Sequence, residues 1–302
     1  MLKNRRNYYI TLFAVFLACC LIVVSQPNRF QKWNSIKRLD SYQNFRTLAS
    51  QKKLELEDFV ENIHYKNVSD YVYTVHPEKK YKRTILEGFG DCSTMSFGAA
   101  YYLLKSNITF ELIHFLPPDT LFSGGGHVAL RVPYSYKGES RVGIVDLAGG
   151  GLPLVNGVFI DIDELETLKF SADFHRINAK ASEFYESYYE YDYLKKVYFG
   201  FTPGNEVKRY YNFIEMIYFS FGHEKLEKLF YDGLAILFGQ YYSIYVDEAF
   251  LDSFKVESFF YSFLLYLIRM LIVLGIIIVF FEMFSLIKRK KILAASEENI
   301  VK

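Results

Sequence analysis

Cysteine is scarce in this chain. Its 302 residues hold three, and two of them, Cys19 and Cys20, are neighbours near the N-terminus. Beyond them Cys92 stands alone, so no disulfide forms within the rest of the chain and a disulfide-stapled secreted fold is excluded. Charge of one sign is lacking too: 35 Lys and Arg face 34 Asp and Glu, a net charge of +1. That balance lacks the basic footprint of a nucleic-acid-binding protein, and no nucleic-acid partner is expected. Metal-ligand spacing is absent as well. His64, His76, His114, His175 and His223 show no such pattern with cysteines or with one another, which leaves them structural or at the surface. Neither a metal nor another cofactor is expected. There is no internal repeat and no long low-complexity linker.

What the sequence has in abundance is apolar and aromatic surface: 51% hydrophobic residues and 19% aromatic, with 29 Phe, 26 Tyr and one Trp. Two segments account for much of it. YYITLFAVFLACCLIVVS, residues 8–25, is uncharged and follows Lys3, Arg5 and Arg6. At 1.5 Å per residue it spans roughly 27 Å, enough for a bilayer core. A cleaved signal peptide and a lipoprotein signal compete with an anchor, but no small-x-small site follows. Cys20 is preceded by another cysteine. An uncleaved anchor is the better reading.

The second segment, FFYSFLLYLIRMLIVLGIIIVFFEMFSLIKRKK, begins at Phe259. With Arg269 snorkelling at one interface and Lys288 at the other, 18 apolar-dominated residues lie between them. Tyr261 and Tyr266 fall where an interfacial belt is expected, and Glu282 falls near the inner end. The basic run at 288–291 points to the cytoplasm. Two spans with both tails inside place the intervening chain outside, on the periplasmic or outer face of a bacterial inner or cell membrane. The bilayer is therefore the first expected partner, with membrane proteins beside it.

The stretch EGFGDCSTMSFGAAYYLL, residues 87–104, carries the lone exported thiol. Gly88 and Gly90 make a turn, Asp91 is a helix N-cap, and Met95, Ala99, Tyr102 and Leu103 recur at helical spacing. Cys92 thus starts a helix, where unpaired N–H groups and the macrodipole favour a thiolate. ITFELIHF, 108–115, reads as a strand. After a loop with Pro117, Pro118 and SGGG, HVALRVPYSY and RVGIVDLAGG form a hairpin about KGES. His127 opens the first hairpin strand, 35 residues after Cys92, and Asp146 lies toward the end of the second, 19 residues further on. A thiolate nucleophile needs a base and the base an orienting group, and a hairpin turning near Gly138 brings His127 opposite about residue 149, close to Asp146.

This ordered set, Gly90-Asp91-Cys92, Gly126-His127-Val128 and Val145-Asp146-Leu147, resembles the transglutaminase-like family of cysteine enzymes. That family places a catalytic Cys at a helix start, a catalytic His at the start of a strand and a catalytic Asp near the end of the neighbouring strand. The resemblance covers about residues 80–150 and departs at Ala129, where an aromatic residue is frequent, and at Leu147, where Pro or a similar residue is frequent. It implies an α+β, papain-like core with a Cys-bearing helix packed on an antiparallel sheet. It also implies acyl transfer from an amide, with Cys92 as nucleophile, His127 as base and Asp146 as orienting group; the membrane tether then points to an envelope peptide or protein as substrate. The backbone N–H of Cys92 would supply part of an oxyanion hole. The same stretch is similar to cell-wall endopeptidases of the NlpC kind, against which the short Cys-to-His interval counts. A catalytically silent binding or assembly module of an envelope or cell-surface polysaccharide system, using the same fold, is the alternative from another class.

The expected organisation is a tail and anchor at 1–25, a helical lead-in at 26–75 and a transglutaminase-like core at 76–180. An aromatic-rich helical region follows at 181–257, then a second span at 258–287 and a tail at 288–302. The aromatic region has three readings: helices packed on the core, a surface at the membrane interface, or a sugar-binding face.

Overall fold

The computed structural model describes residues 2–39, 52–66, 71–117, 126–167 and 171–300. Two compact units result, Met1–Phe30 with Val256–Lys302, and Gln31–Lys255. The SGGG loop expected before His127 lies outside the described residues apart from Gly126.

Helix α1 (Leu2–Ser25) holds the first apolar run, with a mean hydropathy of 2.4 over Tyr8–Ser25. Pro27 occupies the first position of α2 (Pro27–Ser35), where its fixed φ suits a helix start and its missing N–H costs nothing. Two short strands, β1 (Ile36–Arg38) and β2 (Leu54–Glu55), precede α3 (Leu56–Glu61). Helix α4 (Pro77–Tyr81) continues as a π-helical turn at Lys82–Leu86 and is followed by α5 (Cys92–Lys105). Next come β3 (Glu111–Leu116), β4 (His127–Tyr136) and β5 (Glu139–Val145). The last two are joined by Lys137 and Gly138, whose φ values of 48° and 80° match the primed turn that suits strand twist.

Strands β6 (Gly151–Val155) and β7 (Val158–Phe159), helix α6 (Ile162–Thr167) and strand β8 (Asp173–Arg176) follow. A 3₁₀ turn at Glu183–Tyr189 leads to α7 (Tyr191–Leu194) and β9 (Tyr198–Pro203). The chain ends with α8 (Gly204–Ile217), α9 (Glu224–Leu237), β10 (Ile244–Val246), α10 (Glu248–Ser253) and α11 (Lys255–Ile300).

The chain is thus α+β. The larger sheet runs β1-β10-β9-β3-β4-β2 with β5 paired to β4, and β7-β6-β8 form a second sheet. Every residue of β3 is buried, as are nine of the ten in β4, so both faces are covered and the apolar/polar alternation is lost. Leu112, Ile113, Leu130 and Val132 meet Met95, Ala99 and Leu103 of α5 in the core. The small face of α5 allows close approach on its other side: a Cβ on Gly98 would sit 2.0 Å from the Thr84 hydroxyl.

Two of the segments expected to be helical also carry strand. The lead-in contributes strands β1 and β2 as well as helix, pairing in parallel with β10 and β4. The aromatic region is not only helical, since β9 lies between β3 and β10 in the main sheet. These strands are short or Tyr- and Phe-rich, so neither carries the period-two signal that marks a strand in isolation.

In the other unit, α1 and α11 are two helices long and apolar enough to cross a membrane. Phe13, Leu21, Phe280, Phe281 and Phe284 are all exposed, an arrangement costly in water and ordinary in lipid. Tyr9 donates to Glu282 Oε1 at 3.1 Å and Tyr261 to Gln26 Oε1 at 2.6 Å. The residue order runs oppositely along the two helices, so they are antiparallel.

One buried ionic triad stiffens the sheet. Arg131 donates to both oxygens of Asp161, at 2.7 and 2.6 Å, and to Glu111 at 3.2 Å. Replacing Arg131 with Ala leaves Glu111 buried without its countercharge, and a loss of about 3–5 kcal/mol is expected. Chemical unfolding of the detergent-solubilised protein measures it; a loss below about 1 kcal/mol would mean that the triad is a solvated surface pair.

Candidate active site

Cys92, His127 and Asp146 come together from three separate elements. Cys92 is the first residue of α5. Asp91 caps the helix, accepting from the Thr94 N–H at 2.8 Å and from the Thr94 hydroxyl at 2.9 Å. The turn before it needs Gly90, whose φ of 127° is open only to glycine and whose added Cβ would lie 2.4 Å from Thr94 Oγ1. One turn into the helix, Ser96 donates to the Val128 carbonyl at 3.1 Å. That bond ties the helix start to the strand start and sets the thiol against the imidazole.

His127 opens β4 and pairs in the ladder with Phe115 of β3. The β4–β5 ladder ends at Leu130–Val145, so the expected pairing of His127 near residue 149 is not made. Asp146 instead bridges to Gly151, and the chain turns sharply between them. The turn still delivers the carboxylate. His127 Nε2 and Asp146 Oδ2 are 2.6 Å apart. Oδ2 also accepts from the Tyr189 hydroxyl at 3.1 Å, while Oδ1 accepts from the Ala148 and Gly149 N–H groups, each at 3.0 Å. The carboxylate is therefore saturated without water. Tyr65 pins the same turn by donating to the Leu147 carbonyl at 2.6 Å.

With Nε2 committed to Asp146, Nδ1 is the nitrogen left for the thiol. It is buried and no hydrogen bond is closed to it. Burial disfavours charge on His127, but Asp146 and then Cys92 outweigh it and raise its pKa to about 10. An imidazole whose cationic form is held between a carboxylate and a sulfur is suited to accept the thiol proton and keep it.

Sequence reasoning missed the aromatic surround. Tyr188 stacks on His127 at 4.5 Å with an 8° interplanar angle, and Tyr185, Tyr189 and Phe115 close its other sides at 5.6, 6.0 and 5.2 Å. The three tyrosines come from the single 3₁₀ turn, and their spacing of three and four residues was the available signal. Of the three readings of the aromatic region, packing on the core describes Tyr185, Tyr188, Tyr189, Tyr210, Tyr211 and Tyr231, all buried. Met216, Phe219, Phe230 and Phe238 stay exposed. Cys92 is 8% exposed, His127 1% and Asp146 not at all. Three of the other five histidines make structural contacts: His114 bonds Thr202 at 2.9 Å, His175 bonds Tyr136 at 2.8 Å, and His223 caps α9.

Comparison of the chain with protein-family models, with curated proteins and with solved structures finds no match.

The raised pKa of His127 has a definite consequence. Its folded-state value lies above the unfolded value of 6.5, so the His127–Asp146 pair contributes fully to stability below about 6.5 and loses that contribution as the pH climbs through about 10. The gap in unfolding temperature between the parent protein and His127→Ala should be widest near pH 6 and should narrow toward pH 10. A gap that widens with pH would show that His127 is buried neutral.

Proposed function

We propose that the 31–255 unit is a papain-like domain of transglutaminase type, which acts on amide bonds in an envelope peptide or protein from the outer side of a membrane. The observation that carries this reading is the convergence of Cys92, His127 and Asp146 from a helix start, a strand start and the turn after the next strand, with the His–Asp bond at 2.6 Å. In the proposed cycle the Cys92 proton already rests on His127 Nδ1, in keeping with the raised pKa of His127, and the thiolate attacks the amide carbonyl carbon. The C–N bond breaks as His127 returns the proton to the leaving amine, and a thioester remains on Cys92. Water then releases a carboxylic acid, or a second amine forms a new amide, and the thiol is restored. Asp146 accepts from Nε2–H throughout and fixes the imidazole's orientation. The N–H of Cys92, at a helix position with no intrahelical acceptor, is placed to donate to the oxyanion.

The membrane side of the proposal rests on the antiparallel apolar helices, whose termini would share one face of the bilayer, and on the basic flanks of both. The rival reading, a catalytically silent assembly module, draws on the near-complete burial of the three side chains.

Two measurements test these readings. Cys92 should react with iodoacetamide at neutral pH faster than a free cysteine, and His127→Ala should slow it roughly 10²-fold. Asp146→Asn should be milder because orientation, not the base itself, is disturbed. Labelling of Cys92 only after denaturation would support the silent module. For topology, a reporter inserted at Gly138, a turn with open space around it, should report the exported side, and one at the C-terminus the cytoplasm. A cytoplasmic signal at Gly138 would overturn the arrangement.

A further inference from the structure

The aromatic ceiling fixes the plane of the His127 ring but not which way round the ring sits. Tyr188 stacks on it at 4.5 Å with an 8° interplanar angle. A half-turn about the Cβ–Cγ bond leaves that plane and its stacked area unchanged, yet it exchanges Nδ1 with Cδ2 and Nε2 with Cε1. Stacking does not tell the two states apart, whereas a hydrogen bond does. That bond is the 2.6 Å contact of Nε2 with Asp146 Oδ2. The orientation that turns Nδ1 to the thiol is therefore only as well defined as the position of Oδ2.

Oδ2 is referenced to the fold by a second donor. The two amides on Oδ1, from Ala148 and Gly149, belong to the turn that follows Asp146 and move with it. They set the carboxylate against its own backbone, not against β4. The Tyr189 hydroxyl comes from 43 residues away and donates to Oδ2 at 3.1 Å. Its own place is over-determined. Tyr189 is fully buried, its ring meets Phe115 at 5.7 Å and Phe174 at 5.4 Å, and its carbonyl accepts from the Ala172 N–H at 3.0 Å. Burial, and then the Asp146 charge, push its phenol well above the usual range, so the hydroxyl stays a donor through neutral pH.

We propose that Tyr189 is a positioning residue for the amide chemistry: its hydroxyl anchors Asp146 Oδ2 and, through it, keeps Nδ1 of His127 facing Cys92. This deepens the amide-cleaving reading and rests on it. Tyr189 exchanges no proton and forms no covalent bond in the cycle, and it acts only through Asp146.

The test uses the full-length protein in detergent, with peptide mapping to separate Cys92 from Cys19 and Cys20. Tyr189→Phe keeps the ring and removes one hydroxyl. Iodoacetamide labelling of Cys92 should slow about tenfold at neutral pH, the worth of one hydrogen bond to a charged group. The midpoint of its pH–rate profile should move up toward that of a free cysteine, because a thiolate facing a misplaced imidazole is less well stabilised. Lys32, Tyr185, Tyr188 and Tyr193 also act on Cys92, and Asp91 adjoins it; the substitution leaves all five in place. Tyr210→Phe on α8 is the control. It removes a similarly buried hydroxyl, bonded to the Asp232 carboxylate at 2.6 Å, and should change neither rate nor midpoint. Once Asp146→Ala has removed the carboxylate, Tyr189→Phe should add less than about twofold, since nothing is left for it to act through.

A second readout needs no reactive thiol. By NMR on protein with isotope-labelled histidine, the Nε2–H of His127 is identified by its loss in His127→Ala. That proton should exchange with water about tenfold faster in Tyr189→Phe than in the parent. Slower labelling with parental Nε2–H exchange means that Tyr189 merely supports the fold, and it overturns the proposal. A Tyr210→Phe protein that slows and shifts alike overturns it too, as do a parental rate and midpoint in Tyr189→Phe. If Cys92 does not label in the native parent, the amide-cleaving reading fails and the exchange rate alone judges Tyr189: faster exchange upholds the anchor on His127, and parental exchange overturns it.

Discussion

The bond between His127 and Asp146 is the constraint around which the larger unit is built. A carboxylate removed entirely from water must have its lone pairs filled by the protein, and one left short would cost more than the pair returns. Asp146 achieves this with donors from three places: the imidazole on β4, the Tyr189 hydroxyl on the 3₁₀ turn, and two N–H groups from the turn that follows Asp146 itself. Tyr65 then holds that turn from outside. Each donor fixes an element whose position is otherwise loosely specified. The same network that makes the carboxylate tolerable places β4, the post-β5 turn and the 3₁₀ turn relative to one another.

Some of this was legible in the sequence and some was not, for physical reasons. The helix beginning at Cys92 was readable because cap, turn glycines and apolar period all agree over fourteen residues. The strand at His127–Tyr136 was readable because β-formers are continuous and a two-residue turn follows. Order and spacing pointed to the convergence of Cys92, His127 and Asp146. The exact pairing of His127 did not, because the ladder stops short and a bridge to Gly151 turns the chain instead. Strands β1, β2 and β10 have three, two and three residues, too few for any period to register. β1 pairs with β10, β10 with β9 and β2 with β4, all distant in sequence, and single-sequence patterns do not contain such pairings.

The tyrosine-rich segment shows a different limit. Composition announced a large amphipathic surface but not its partner. Tyr185 and Tyr188 could have faced lipid, sugar or protein on composition alone, because each offers an apolar ring with a polar end. The structure uses the rings as a ceiling over an imidazole and the Tyr189 hydroxyl as a donor to the carboxylate beneath it. One turn thereby excludes water from the charged pair and completes its hydrogen bonding.

That ceiling also limits how the thiol can be reached. Phe115, Tyr185, Tyr188 and Tyr189 enclose the imidazole, and the 3₁₀ turn is held by Arg176, which pairs with Glu183 at 3.0 Å and with Glu186. The turn is further tied by the Ala172 N–H donating to the Tyr189 carbonyl at 3.0 Å. An aromatic cover fixed in this way keeps water from the charged pair. The dry ceiling strengthens the attraction between His127 and Asp146 by lowering the local dielectric, and the four donors to Asp146 offset the desolvation that the same ceiling imposes.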